Sequence, residues 1–273
     1  MITLNGKKIV QGRFPNNEVD YVPLGNIHIP FMSPGIDIFE VIFESNEDLF
    51  NLQIVKKWWD DRATKENLKS MLKIKFFPYS QMDREMDSHL FSLKYVSQII
   101  NDMKFDCVYV WDPHSNVLPA LLNKCEIKYP VKDFLTATAR LDKRQYDLLF
   151  FPDNGAAKKY SEILNTKKYR FGNKRRNLET GEIEGYEVIA NESDIIGKKI
   201  LIVDDLVMGG RTFVEAAKVL REFGADTVDL YVTHLMPQAR NFYNSKGNGL
   251  IDNIYSADSL NLIPIFNTPE PRP

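Results

Sequence analysis

The stretch that decides the fold is Lys199-Ile200-Leu201-Ile202-Val203-Asp204-Asp205-Leu206-Val207-Met208-Gly209-Gly210-Arg211-Thr212. An apolar run, typical of a buried strand, is predicted to end at two adjacent carboxylates, and a glycine pair then leads into a helix with Thr212 as its expected N-cap. Glycine lets backbone N–H groups approach an anion closely, and a helix N-terminus adds favourable partial charge. An ordinary strand-to-helix turn would explain the glycines but not Asp204 and Asp205. The stretch therefore predicts a site that holds vicinal sugar hydroxyls and a phosphate.

Apolar strands and amphipathic helices alternate outward from this stretch. The spacing of apolar residues predicts strands at 19–22, 37–43, 72–77, 107–111, 148–151, 199–203 and 228–232, and helices at 46–60, 93–103, 156–164 and 213–223. This alternation is typical of parallel sheets flanked by helices, which bind ligands beyond the carboxyl ends of their strands. We therefore expect the chemistry at those strand ends.

The composition and charge of the chain indicate which broad class of protein it belongs to. The chain has 273 residues, of which 44% are hydrophobic and 26% charged, a balance typical of a globular protein of two domains. The net charge of −2 gives no indication of a nucleic-acid partner. Cys107 and Cys125 are expected to be buried structural thiols. The start does not resemble a signal peptide, and no apolar run reaches the roughly 18 residues of a membrane span, so a cytoplasmic protein without membrane contact is expected.

The stretch around Asp204 is similar to the sugar-phosphate loop of phosphoribosyltransferases and of phosphoribosyl-pyrophosphate (PRPP) synthetases. Segments in the order found in the synthetases favour the latter, and the resemblance covers nearly the whole chain. These segments are Phe14-Pro15-Asn16-Asn17-Glu18, Phe77-Pro78-Tyr79-Ser80-Gln81-Met82-Asp83-Arg84, Val110-Trp111-Asp112-Pro113-His114-Ser115, Phe150-Phe151-Pro152-Asp153-Asn154-Gly155-Ala156, Lys174-Arg175-Arg176 and Tyr231-Val232-Thr233-His234.

This resemblance implies two tandem α/β domains of phosphoribosyltransferase type, with residues 1–138 forming a first domain that is trimmed at its start and 139–273 forming the second. It implies transfer of the β,γ-diphosphate of ATP to the C1 hydroxyl of a ribose 5-phosphate, with Mg²⁺ as cofactor and AMP as the other product. ATP is expected between the domains or at a subunit interface. Family members form dimers and hexamers, so a homo-oligomer is also expected.

The resemblance further assigns roles to individual residues. Lys174 and Arg176 would neutralise charge on the transferred group, from a stretch (171–173 and 177–185) that looks mobile and would close over the substrates. The residues implied for ATP are Phe14, Asn16, Glu18, Gln81, Asp83, Arg84 and His114. Those implied for the sugar phosphate are Asp204, Asp205, Met208, Gly209, Gly210, Arg211 and Thr212. Those implied for magnesium are Asp112, His114 and Asp153.

The sequence also departs from the family pattern. Gln81 and Met82 replace an Arg-Gln pair that the synthetases use on ATP, and Arg84 is the candidate substitute. In the sugar-phosphate loop, Met208-Gly209-Gly210-Arg211-Thr212 stands where the family has Asp-Thr-x-Gly-Thr. An added arginine and a missing side chain suit an acceptor with a 5′ diphosphate, so ADP-ribose, with ADP-ribose pyrophosphate as the product for NAD salvage, is an alternative to ribose 5-phosphate. The sequence also leaves open a nucleobase phosphoribosyltransferase and a non-catalytic regulator that binds nucleotides.

Overall fold

The structure is a computed structural model that describes residues 1–22, 35–63, 68–141, 145–176 and 183–257. It divides the chain into two compact units, Met1–Lys128 and Tyr129–Pro273. This division lies earlier than the predicted one after residue 138. The helix Pro130–Leu141 belongs to the second unit because Phe134 packs there against Tyr231 and Tyr255, with ring centroids 4.6 and 4.9 Å apart.

The first unit is built on a six-stranded sheet in the order β2-β1-β5-β6-β7-β8. Strands β5 to β8 are parallel, whereas β1 pairs antiparallel with both β2 and β5. A separate hairpin is formed by β3 and β4. The elements are β1 (Ile2–Leu4), β2 (Lys7–Lys8), β3 (Val10–Arg13), β4 (Val19–Tyr21), β5 (Ile36–Val41), α1 (Glu47–Ala63), β6 (Lys69–Ile74), α2 (Ser92–Asp102), β7 (Cys107–Trp111), α3 (Val117–Leu121) and β8 (Cys125–Lys128).

One face of this sheet forms the core of the unit. Alternate residues of β6 and β7, such as Leu72 and Val108, are buried, as the period of two in a strand requires. Buried side chains of α1, α2 and α3 join them in a single cluster, Leu52, Leu93 and Leu118 among them. The residues between these buried positions point to the opposite face, and most of them remain half-buried.

The second unit contains a six-stranded sheet in the order β11-β10-β9-β12-β13-β14. All neighbours in it are parallel except β10 and β11, which form an antiparallel hairpin. The elements are α4 (Pro130–Leu141), β9 (Leu148–Phe151), α5 (Asn154–Ile163), β10 (Tyr169–Arg176), β11 (Ile183–Ile189), α6 (Glu192–Ile195), β12 (Lys199–Val207), α7 (Arg211–Glu222), β13 (Thr227–Leu235), α8 (Arg240–Ser245) and β14 (Asn253–Ser256). The prediction of mostly parallel sheets flanked by helices is confirmed.

Two local expectations need refinement. Strand β12 does not end at Val203 but continues to Val207, because β13 runs alongside it and pairs Leu206 with His234. The cysteines are half-buried rather than buried, and neither forms a disulfide. Desolvation is the main cause that raises the pKa of the Cys125 thiol to about 11, so that thiol stays protonated at neutral pH. Within the described ranges, none of the helices is long and apolar enough to cross a membrane.

Candidate active site

The segment predicted to hold adenosine forms the tip of the β3–β4 hairpin. The backbone N–H of Phe14 donates to the carbonyl of Glu18 at 2.9 Å, and the side-chain oxygen of Asn16 accepts from the Glu18 N–H at 3.2 Å. Asn17 adopts a left-handed conformation, which asparagine tolerates in tight turns. Phe14 is 53% exposed, and Asn16 and Glu18 are exposed as well. The tip therefore presents an aromatic ring and polar groups to solvent.

The loop that contains Gln81, Asp83 and Arg84 meets the loop after β7. Desolvation alone would raise the pKa of Asp83, yet its pKa is lowered by a hydrogen bond with Ser115, by the Arg84 guanidinium and by the charge of His114. Arg84 Nε lies 3.1 Å from Asp83 Oδ1. The structure thus brings together predicted ATP residues from two separate segments. Gln81 and His114 are exposed, whereas Asp83 is 8% exposed.

The N-terminal end of α1 anchors both predicted nucleotide-binding elements. Arg13, the last residue of β3 before the hairpin tip, donates from Nη1 to Glu47 Oε1 at 2.9 Å. Tyr79, in the Gln81 loop, donates from its hydroxyl to Asn46 Oδ1 at 2.8 Å. Sequence reasoning missed Arg13, Asn46 and Glu47, because an exposed ion pair and an amide partner follow no periodic pattern. These contacts fix two remote segments to one helix end.

Asp112, a predicted metal ligand, lies at the end of β7 in a left-handed conformation (φ 42°) and is 1% exposed. Its N–H donates to the carbonyl of Lys128 at 2.8 Å. A residue other than glycine at positive φ is uncommon and stores strain. The strained turn places His114 on the surface shortly after the strand.

In the second unit, Asp204 and Asp205 occupy the carboxyl-terminal half of β12 rather than a position after it. The N–H of Asp205 donates to Asp204 Oδ1 at 2.9 Å, and Asp205 is 7% exposed. Desolvation, followed by the charges of Asp205 and Asp153, raises the pKa of Asp204 well above its usual range. Asp205 and Asp153 thus both lie near enough to act on Asp204, at the ends of β9 and β12.

The turn between β12 and α7 contains Gly210, and any other residue at this position would be strained. Gly210 has φ +79°, and a Cβ there would lie 2.2 Å from the Phe242 ring. Gly210 is also the N-cap of α7, so the prediction that Thr212 caps this helix is wrong: Thr212 is its second residue. The helix starts earlier because the carbonyl of Gly210 already accepts from Phe213 and Val214. The N–H groups of the first turn therefore follow the glycine pair directly, as in an anion site.

The basic triplet lies in a β-hairpin. Lys174, Arg175 and Arg176 end β10, and Lys174 pairs in register with Tyr186 of β11. Residues 171–173 and 183–185, which the sequence placed in a mobile stretch, are strand residues of this hairpin, and residues 177–182 lie outside the described part. The side chains of Lys174 and Arg176 also lie outside it, so their predicted roles stay predictions.

Tyr186 connects this hairpin to the carboxylates. Its hydroxyl donates to the carbonyl of Pro152 at 2.9 Å. Desolvation, followed by the charges of Asp153 and Asp204, raises the Tyr186 pKa far above its usual range. A Cβ at Gly172 would lie 2.0 Å from the Tyr186 hydroxyl, so a glycine is required where β10 passes this ring.

Comparison with known proteins agrees with this arrangement. The family model for the phosphoribosyl transferase domain matches residues 156–258. The ribose-phosphate pyrophosphokinase of Thermococcus kodakarensis is 26% identical over 230 residues, which are 80% of this chain and 76% of that protein. That of Pyrococcus furiosus is 31% identical over 179 residues, 63% of this chain and 61% of the relative. The chain is thus similar to ribose-phosphate pyrophosphokinases over most of its length.

The fold agrees as well. A crystal structure of phosphoribosylpyrophosphate synthetase from Mycobacterium smegmatis superimposes with a TM-score of 0.63 over 87% of this chain and 78% of that one, at 18% identity. The likeness is to enzymes, the ribose-phosphate pyrophosphokinases. The match to the Thermococcus relative covers 230 residues, which is more than the second unit, Tyr129–Pro273, contains. The likeness therefore extends into both units.

One side chain beside Asp204 and Asp205 was missed by the sequence analysis. Lys159 of α5 places Nζ 3.8 Å from Asp205 Oδ2, and the two side chains are only 16% and 10% exposed. The ammonium group also lies 4.9 Å from the centroid of the Tyr160 ring. From the sequence alone, a lysine in an amphipathic helix is expected to be solvated. The position of Lys159 beside Asp205 follows only from the packing of α5 on β12.

Magnesium, which the family resemblance implies, has to be tested against these residues. Asp153 caps α5, accepting from the N–H of Ala156 at 3.0 Å, and lies close enough to raise the pKa of Asp204. Within the described ranges, no three His, Cys, Asp or Glu side chains converge as a metal cage. Magnesium keeps several waters and takes phosphate oxygens as ligands, so a few carboxylates at a strand end fit its chemistry.

Proposed function

We propose that this protein transfers the β,γ-diphosphate of ATP to the C1 hydroxyl of ribose 5-phosphate, making PRPP and AMP. The observation that carries the proposal is the convergence of two predicted nucleotide segments in the first unit, where Asp83 and Arg84 meet His114 and Ser115. A nucleobase phosphoribosyltransferase needs no such ATP elements, and the likeness to ribose-phosphate pyrophosphokinases extends into this unit.

The second unit supplies the acceptor site in this proposal. Asp204 and Asp205 accept hydrogen bonds from the vicinal ribose hydroxyls, and an ionised carboxylate can accept on both of its oxygens. The 5′-phosphate binds the N–H groups at the start of α7, after the turn that Gly210 makes possible. Arg211 and Thr212 add a cation and a hydroxyl at the same helix end.

The reaction itself requires charge neutralisation more than covalent chemistry. The C1 oxygen attacks the β-phosphorus, the bond from that phosphorus to the bridging oxygen breaks, AMP leaves and the C1 hydroxyl proton is released. Lys174 and Arg176 stabilise the negative charge on the transferred group, and the register of Lys174 with Tyr186 supports that role. Asp112 and His114 of the first unit and Asp153 of the second are the residues that would hold magnesium, which would supply charge neutralisation of the phosphates.

ADP-ribose is a second candidate acceptor because of the shape of the turn. A Cβ at Gly209 would meet no atom within 4 Å, and Met208 and Arg211 on either side are exposed. The turn therefore leaves room beside a cation where a larger 5′ substituent could extend. Ribose 5-phosphate remains the first candidate because the relatives' names refer to a ribose phosphate.

The test is to incubate the purified protein with ATP, magnesium and either acceptor, and to follow AMP and the sugar product by mass spectrometry. AMP together with an acceptor heavier by a diphosphate establishes the reaction and selects the sugar. A reaction without acceptor measures plain ATP hydrolysis. Lys174→Ala should abolish the product, whereas Lys168→Ala, at the other end of the same hairpin, should not. ATP binding without AMP from either sugar would favour a regulatory protein.

A further inference from the structure

The side chain of Tyr186, in β11, reaches across the second sheet to a strand that is not its neighbour. The strands run in the order β11-β10-β9, so β10 separates this tyrosine from β9. The Tyr186 hydroxyl nevertheless donates at 2.9 Å to the carbonyl of Pro152, the residue that directly follows β9. The side chain therefore spans β10 and ties the outer strand of the hairpin to the end of β9.

The tyrosine crosses β10 at Gly172, where the absence of a side chain gives the ring its room. A Cβ at Gly172 would lie 2.0 Å from the hydroxyl oxygen and 2.3 Å from the ring carbon that carries it. In the register of the hairpin, Gly172 pairs with Val188, and Lys174 pairs with Tyr186 itself. The tyrosine thus extends from the level of Lys174 past the level of Gly172 to reach Pro152.

The Tyr186 hydroxyl lies beside carboxylates of the candidate site. Desolvation is the main cause that raises the Tyr186 pKa, and the charges of Asp153 and Asp204 raise it further. A phenol in these surroundings stays protonated at neutral pH and remains a hydrogen-bond donor. Because a desolvated hydroxyl needs an acceptor, the contact with the Pro152 carbonyl is specific, and it lies immediately before Asp153 in the chain.

We propose that Tyr186 is a positioning residue whose hydrogen bond to Pro152 fixes the backbone at Lys174 relative to the turn that contains Asp153. The role rests on the proposed function, in which Lys174 neutralises charge on the transferred group. Charge stabilisation is most effective when the cation is already in place, and a displacement of about 1 Å can cost about 100-fold in rate. Tyr186 acts through the strand that carries the lysine and needs no contact with the substrates.

The test compares Tyr186→Phe, which removes the hydroxyl and keeps the ring, with the wild type in the full-length protein. With ATP, magnesium and ribose 5-phosphate, kcat for AMP release should fall about tenfold, while KM for both substrates stays within about twofold. In a Lys174→Arg background, where the cation is already displaced, the same substitution should lower kcat by less than about threefold. Tyr146→Phe is the matched control, because its hydroxyl donates at 2.8 Å to Asp229 near the amino end of β9, and its kcat should equal that of the wild type.

Hydrogen exchange of the backbone amides tests the hydrogen bond without relying on activity. Amides of β10 and β11 should exchange about fivefold faster or more in Tyr186→Phe, whereas those of β13 should not change. No AMP from the wild-type protein would refute the proposed function, and unchanged exchange in Tyr186→Phe would separately refute the tether. An active wild type with the same kcat in a folded Tyr186→Phe, or an equal loss of kcat in both Lys174 backgrounds, would overturn the positioning role alone.

Discussion

The substitution Lys159→Met tests whether a helix side chain positions the acidic pair that is proposed to hold the ribose. Lys159 Nζ and Asp205 Oδ2 are 3.8 Å apart. Two unit charges at that separation interact by about 4 kcal/mol at an effective dielectric constant of about 20. In the variant, hydration of the Asp205 carboxyl and its protonation replace part of this lost interaction energy. We therefore expect kcat/KM for the acceptor sugar to fall by about 10- to 100-fold, with KM for ATP unchanged.

The controls for this prediction lie next to the residue. Lys158 is exposed on the same helix, so Lys158→Met makes the same change in charge and composition without touching Asp205. Lys159→Arg keeps the cation and should recover most of the activity. Steady-state kinetics with AMP detection measures each variant, and urea denaturation confirms that it is folded. If Lys159→Met matched Lys158→Met in kcat/KM for the sugar, the positioning role would be refuted.

Three further substitutions probe different parts of the site. Asp204→Asn removes a carboxyl whose raised pKa lowers the free energy of unfolding as pH rises through that pKa. Above neutral pH, the free energy of unfolding of the variant should therefore exceed that of the wild type by roughly 1 kcal/mol. The gain should vanish below about pH 3.9, the usual aspartate pKa, and a gain independent of pH in urea denaturation would contradict the reasoning. Gly172→Ala should cost about 1–3 kcal/mol, because its Cβ would lie 2.0 Å from the Tyr186 hydroxyl; unchanged thermal unfolding would show that the hairpin adapts. Phe14→Ala should raise KM for ATP about tenfold or more, if the ring stacks on adenine, and leave the melting temperature unchanged because the ring is 53% exposed; a lowered melting temperature would instead indicate packing.

The sequence predicted much of the fold because the alternation of apolar strands and amphipathic helices is a local signal. The strand around Ile202 and the helix after Gly210 were both expected, and both are present. What periodicity could not predict was how far strands continue. Strand β12 extends through both aspartates because its neighbour β13 supplies partners as far as Leu235, and that pairing is a tertiary property.

The candidate site shows the same contrast between features that a local sequence signal predicts and features that depend on tertiary contacts. Motifs placed Asp83 and His114 in one site, and the electrostatic influence of His114 on Asp83 indicates that they are near each other. The motif around Lys174 did not predict the hairpin in which this residue lies, because the partner strand supplies the backbone hydrogen bonds that order it. Lys159 was missed because the environment of a helical lysine depends on what the helix packs against.

The anchoring of the predicted nucleotide elements on α1 ties the proposed ATP affinity to the stability of one helical turn. Arg13 and Tyr79 attach a hairpin and a loop to adjacent residues, Glu47 and Asn46, at the same helix end. Helix ends fray at a small free-energy cost, and an exposed ion pair weakens as salt rises. Whenever this turn opens, both elements lose their anchor together, so salt or heat should diminish nucleotide affinity before the remainder of the unit unfolds.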